Sequence, residues 1–254
     1  MTARLLLVGG LDPTGAAGLL ADLRAAKAAG VGAGSVVTAD THQDDQGVWA
    51  VRPSGPEAVA EAIRQAVPVT RAVKTGLLPG VDTIRAIADS LPAHLPLVVD
   101  PVLAATSGGV FLDADGIEVL MELLVPQATM VVPNRDEAAL LTGIEGDPVR
   151  AGEALLSAGA SAVVVTGGNG PGGTARDWYV DVRGAQALDR PRTPHGARGT
   201  GCAFATALGA WLARGAEPRA AAEAAKQLVH KALVECSARG QGRLWADLAA
   251  TGDG

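Results

Sequence analysis

Gly199-Thr200-Gly201-Cys202 brings two glycines, a hydroxyl and a thiol together at the start of a helical pattern that runs to about Ala213. Glycines at a helix start let backbone N–H groups approach an anion, and the helix dipole favours negative charge there. A phosphoryl group is the natural guest of such a turn. Cys202 falls in the first turn, where the dipole and the nearby Arg198 should lower its thiol pKa and make it a candidate base. Read alone, the tetrapeptide is equally a Gly-rich loop followed by a small buried cysteine.

Two carboxylates at strand ends could serve the same chemistry: Asp100 in Val99-Asp100-Pro101-Val102, and Glu137 in Pro133-Asn134-Arg135-Asp136-Glu137. Either could hold Mg²⁺ through its waters, or be a helix cap or a surface charge. The pattern G-x-x-x-x-G-K-[ST] is missing from the sequence, so a nucleotide would have to be held by other means. The glycines of Gly10-Leu11-Asp12-Pro13-Thr14-Gly15-Ala16-Ala17-Gly18 do not have the G-x-G-x-x-G spacing of a dinucleotide fold. Asp22, on the Ala- and Leu-rich helix that follows, is a solvent-facing carboxylate or a ligand contact. Gln43 lies in a polar stretch, Thr41 to Gly47, read as a loop after a strand. Its amide has both a donor and an acceptor for the edge of an aminopyrimidine, although a plain polar loop residue would look the same. His42 has no second spaced His or Cys beside it for a metal site.

These residues need a scaffold. Arg4 to Gly9 reads as a buried strand and Ala16 to Ala29 as a helix. Strands are expected near Ser35–Ala39, Ala72–Thr75, Leu97–Asp100, Met130–Val132 and Ala162–Thr166, with helical periods between them. That alternation predicts a mostly parallel sheet with helices on both faces. Asp177–Val182 and Ala185–Arg190 flank Arg183-Gly184 as an antiparallel hairpin, Gly167 to Gly173 forms a loop, and two Ala-rich helices follow. No repeat, linker or charge block divides the chain, so a single domain over residues 1–254 is expected, and no segment reads as a lid insertion.

Composition bounds the function classes. The net charge is −6 and the 21 Lys and Arg are scattered, so a small molecule is a better partner than nucleic acid. Aromatic residues make up 3% against 48% hydrophobic, so Ala, Val and Leu must fill the core. Cys202 and Cys236 are too few for a disulfide framework, and no run matches a signal peptide or a membrane span, so a reducing cytoplasmic location is expected.

In order and spacing, several stretches resemble the ribokinase-like hydroxymethylpyrimidine and phosphomethylpyrimidine kinases from Leu5 to about Ala238. They are Gly10 to Gly18 with Ala21-Asp22-Leu23, Val73-Lys74-Thr75-Gly76-Leu77-Leu78, Asp100-Pro101-Val102, Pro133-Asn134-x-x-Glu137-Ala138, Gly167-Gly168 and Gly199 to Cys202. The resemblance implies a three-layer α/β/α sandwich with a small antiparallel hairpin. It implies a pyrimidine near Gly10, Asp22, Gln43 and Leu77, and ATP across Asn134, Thr166, Gly168 and Arg198. Cys202 would be the base, with Gly199, Thr200 and Gly201 stabilising the transferring phosphoryl, Asp100 and Glu137 holding Mg²⁺, and the chain forming a homodimer. Typical members have Lys-Gly-Gly-His where this chain has Thr166-Gly167-Gly168-Asn169, Thr-His where it has Ala197-Arg198, and Met and Lys where it has Leu103 and Thr106. Pyridoxal kinase activity is the nearest alternative, and a catalytically weak pyrimidine-binding or regulatory protein is the alternative from another class.

Overall fold

In the computed structural model the described residues are 4–43, 48–104, 109–167, 172–193 and 197–238. Strand β1 (Arg4–Leu11) leads through a Gly-rich turn into α1 (Gly18–Ala28) and returns as β2 (Gly32–Gln43). β3 (Val48–Pro53), α2 (Pro56–Ala66), β4 (Ala72–Thr75), α3 (Val81–Ser90) and β5 (Leu97–Val99) follow. Next come α4 (Ala114–Leu123), β6 (Met130–Val131), α5 (Arg135–Thr142), α6 (Pro148–Ser157) and β7 (Ala162–Val165). The hairpin β8 (Thr174–Asp181) and β9 (Gly184–Pro191) precedes α7 (Thr200–Ala213) and α8 (Pro218–Ala238).

The strands form one sheet in the order β3-β2-β1-β4-β5-β6-β7-β8-β9. Pairing is parallel from β2 through β7 and antiparallel at β2–β3, β7–β8 and β8–β9. The chain first winds outward from β1 to β3, then restarts at β4 on the other side of β1. That reversal opens a crevice at the carboxyl ends of β1 and β4, where open α/β sheets bind ligands. None of the described helices is long and apolar enough to cross a membrane.

Alternate side chains of each parallel strand serve different cores, because successive Cβ atoms point to opposite faces. Leu5 and Leu7 pack with the alanines of α1, α7 and α8; Leu6 and Val8 pack with Ile63 of α2, Ile84 and Ile87 of α3, and Leu120 of α4. The Ala-rich face brings α7 close to the sheet: a Cβ on Gly209 would lie 3.1 Å from the Leu5 side chain. The composition had pointed to such a core.

Two expectations need correction. Thr41, His42 and Gln43 are the end of β2, not a loop, and residues 44–47 lie outside those described. β3 was not anticipated either, and it pairs antiparallel with β2. As an edge strand without a buried residue it lacks the in–out alternation by which strands are recognised. The hairpin stands where it was expected. Asp181 Oδ1 accepts the Arg183 N–H at 2.7 Å, and Gly184, at φ 117, supplies the positive φ that closes the turn.

Candidate active site

The carboxyl ends of β1, β4 and β5 meet the start of α7 in the crevice. Gly199 is the N-cap of α7 with φ 81, and a Cβ there would collide with the Ala16 carbonyl oxygen. Glycine is therefore required twice over, for the left-handed backbone and for the approach of the β1–α1 turn. That turn is built on Asp12, whose carboxylate accepts the Thr14 N–H at 2.8 Å and the Ala17 N–H at 2.9 Å. Helices α4, α5 and α6 begin with side-chain caps, whereas α7, like α1, has neither a side-chain cap nor an acidic residue in its first turn. Its N-terminus is thus suited to an anion.

Lys74 is fully enclosed, and its Nζ lies 3.0 Å from Asp22 Oδ2 and 3.1 Å from Asp100 Oδ2. Asp22 is not the solvent-facing carboxylate of the simplest sequence reading. It is 2% exposed, and its Oδ1 accepts the Thr206 hydroxyl at 2.8 Å. One cation therefore faces two carboxylates. Burial disfavours the Lys74 cation, but Asp22 and Asp100 outweigh it and hold its pKa above the ordinary range. With a single lysine to share, Asp22 is pushed up by burial, with a contribution from Asp100, against the pull of Lys74 and Thr206.

Cys202 joins this cluster, and its thiol corrects a further expectation. Although the residue is only partly covered, desolvation first, then the charges of Asp100 and Asp22, push its pKa well above the usual thiol value, and Lys74 opposes them only in part. The expected lowering by Arg198 and the helix dipole does not prevail, because two buried carboxylates lie close to the sulfur.

At the β1 end of the crevice, Gly10 faces Leu77: a Cβ at Gly10 would lie 3.4 Å from the Leu77 side chain. Thr38 Oγ1 fixes that strand end by donating to the Leu77 carbonyl at 2.6 Å. Gln43 donates its amide to Thr41 Oγ1 at 3.0 Å, and Thr41 in turn donates to the Leu11 carbonyl at 2.8 Å. Gln43 is therefore oriented from the crevice floor.

On the other side, Asn134 and Thr166 form a parallel bridge beyond β6 and β7. Asn134 and Glu137 make a capping box at α5: Asn134 Oδ1 accepts the Glu137 N–H at 2.9 Å, and Glu137 Oε2 accepts the Asn134 N–H at 2.8 Å. The helix-cap reading of Glu137 thus holds. Although the residue is only partly covered, burial and then the charge of Asp100 push its pKa up to about 8. Gly168 lies outside the described residues, as do Thr106 and Asn169.

Among the described residues no three His, Cys, Asp or Glu form a ready metal cage. Asp100 Oδ2 is nevertheless buried without a hydrogen bond, since its 3.1 Å approach to Lys74 lacks bonding geometry. That oxygen, ion-paired with Lys74, and the Glu137 carboxylate, whose pKa burial raises, are the acidic groups that would meet a cation keeping most of its waters and taking phosphate oxygens as ligands.

Sequence reasoning did not assign roles to Lys74, Thr206, Asp177, Lys226 or Arg135. Lys226 Nζ lies 2.6 Å from Asp177 Oδ2, and the Arg135 guanidinium would touch a Cβ placed on Gly167 at 3.2 Å. A lysine inside the buried run Ala72-Val73-Lys74-Thr75 was the available signal, because a charge in such a strand demands partners.

A doubly covered, mostly parallel sheet with a Gly-rich anion turn and a buried acid–lysine cluster at its switch point defines a ribokinase-like phosphotransferase. The structure matches a Bacillus subtilis pyridoxal kinase solved as an ADP complex with TM-score 0.84 at 30% identity, covering 92% of this chain and 93% of that one. It matches a phosphomethylpyrimidine kinase from Clostridium difficile 630 with TM-score 0.78 at 31% identity, covering 91% and 99%. In sequence the chain is 41% identical over 246 residues to the hydroxymethylpyrimidine/phosphomethylpyrimidine kinase of Rhizobium meliloti (strain 1021), covering 92% of this chain and 91% of that one. Residues 12–246 match the family model for phosphomethylpyrimidine kinase. The chain belongs to the phosphomethylpyrimidine kinase family.

Proposed function

We propose that this chain, acting as one kinase domain, transfers the terminal phosphoryl group of ATP to the hydroxymethyl oxygen of 4-amino-5-hydroxymethyl-2-methylpyrimidine. The same site then phosphorylates the resulting monophosphate, as thiamin synthesis requires. The observation that carries this reading is the meeting of Cys202 with Lys74, Asp22 and Asp100 at the uncapped start of α7.

In this reading Cys202 takes the proton from the substrate hydroxyl as that oxygen attacks phosphorus. The thiol must first give its own proton to solvent, which reaches the partly covered residue, and Lys74 is the cation that opposes the desolvation holding it protonated. The N–H groups around Gly199, Thr200 and Gly201 receive the charge spread over the phosphoryl oxygens. Gln43, fixed by Thr41, addresses the ring edge across from Gly10 and Leu77. Asn134, Thr166 and Arg198 are assigned to the nucleotide, together with Gly168, which lies outside the described residues. Asp100 and Glu137 would hold Mg²⁺, which supplies charge neutralisation on the phosphates.

The proposal includes a homodimer, supported by the open edge strand β3 with Trp49 66% exposed, and a cytosolic setting that keeps the free thiol of Cys202 reduced. Pyridoxal is the second candidate substrate, favoured by the TM-score of the Bacillus subtilis match. The test is ATP consumption with Mg²⁺ against the hydroxymethylpyrimidine, its monophosphate and pyridoxal. Turnover of both pyrimidines supports the reading; turnover of pyridoxal alone replaces it.

A further inference from the structure

Asp177 on β8 and Lys226 on α8 form an ion pair that takes no part in the reaction described above. Their polar atoms are 2.6 Å apart and their side chains are 4% and 9% exposed. Burying two charges is costly, and well-packed apolar side chains often fill such a space at least as stably. The use of the pair lies in the second carboxylate oxygen. Asp177 Oδ1 accepts the Gly167 N–H at 2.9 Å, just where the chain leaves β7.

The turn at Thr166 and Gly167 is held from three directions. The Thr166 N–H donates to the Pro133 carbonyl at 2.8 Å, next to Asn134. Gly167 has no room for a side chain, because a Cβ would run into the Arg176 carbonyl oxygen and the Arg135 guanidinium. The Asp177 carboxylate supplies the third hold, and a charge-assisted bond is stronger than a neutral one. Lys226 keeps that carboxylate aimed at Gly167, since its single ammonium occupies the other oxygen.

We infer that Asp177 and Lys226 are positioning residues for the nucleotide: they set the backbone of Thr166 and Gly167 against which ATP lies, and thereby link α8 to nucleotide affinity. This rests on the kinase reading above. The experiment is steady-state kinetics of Asp177→Asn, Lys226→Met and the double variant, with ATP and the pyrimidine varied separately and melting followed in parallel. Each single variant leaves a buried group without its counter-charge, and it is expected to raise the KM for ATP about tenfold while the pyrimidine KM stays within about twofold. The double variant is expected to recover most of the ATP affinity, because the Asn carbonyl still accepts from Gly167 and no unpaired charge remains.

Parallel rises in both KM values, an unchanged KM for ATP in the single variants, or a double variant no better than the worse single one would overturn the inference. Should a single variant not fold, the neutral double variant decides: an ATP KM near wild type supports the inference, and equal losses for both substrates overturn it. Wild-type protein without ATP-dependent turnover would remove the kinase reading and this inference together; normal wild-type turnover with any of the contrary variant results removes the inference alone.

Discussion

The molecule buries two lysines against aspartates, Lys74 on β4 and Lys226 on α8, and the two sites differ in charge balance. Lys74 faces Asp22, Asp100 and the Cys202 thiol, so acidic groups outnumber the cation. Lys226 forms its ion pair with one carboxylate among the described residues, Asp177, and the second Asp177 oxygen is occupied by a backbone amide. Excess negative charge keeps protons bound at the first site, where the proposed reaction moves a proton. Balanced charge at the second serves to hold a loop. Similar residue types thus yield a reactive cluster in one place and a clamp in the other, according to how many carboxylates share the cation.

The contrast can be broken most severely at the sulfur. Cys202→Ala is expected to lower kcat by roughly 10²–10⁴ with unchanged secondary structure, because it removes the acceptor of the hydroxyl proton. Steady-state assays alongside circular dichroism check this. Retained turnover would make Cys202 a packing residue.

Removing the shared cation should cost stability as well as activity. Lys74→Met leaves Asp22 and Asp100 buried without a counter-charge, and chemical denaturation should show a loss of about 3–5 kcal/mol. If the two carboxylates simply take up protons instead, the loss will shrink toward low pH, which sharpens the claim that charge balance governs the cluster.

A smaller effect belongs to Glu137, whose pKa is pushed up to about 8, chiefly by burial. Between the ordinary carboxylate range and about 8 the folded chain binds more protons than the unfolded chain. This stabilising contribution is full below the ordinary carboxylate pKa and is lost as pH rises through that window. Glu137→Gln keeps the capping acceptor and should flatten the slope, as denaturation at pH values spanning the window would reveal. The smallest effect is expected at the solvent-exposed pair of Arg176 and Asp189, 2.7 Å apart: Arg176→Ala should leave the melting temperature nearly unchanged.

The alternation of strands and helices, the hairpin at Arg183-Gly184 and the Gly199 turn were readable because period, turn chemistry and the need for glycine are written within a few residues. β3 was not, because it has no buried residue to mark a period. For Cys202 the sequence indicated a candidate base but the opposite direction of its pKa, since the desolvation and the carboxylates that raise it, Asp100 just after β5 and Asp22 on α1, are assembled only by the fold. Glu137 was open between cap and ligand, and the structure displays the cap while leaving its carboxylate strained.

By itself the sequence determined the parallel sheet, the Ala-rich core, the order of the site segments and their likeness to one kinase family, all properties carried by local pattern and spacing. Only the tertiary structure decided which charges meet. Lys74 lies 52 residues from Asp22, Thr206 lies 184 from it, and Lys226 lies 49 from Asp177. Side chains so far apart in sequence leave no periodic trace of their pairing, and their electrostatics exist only once the sheet and helices have excluded water around them.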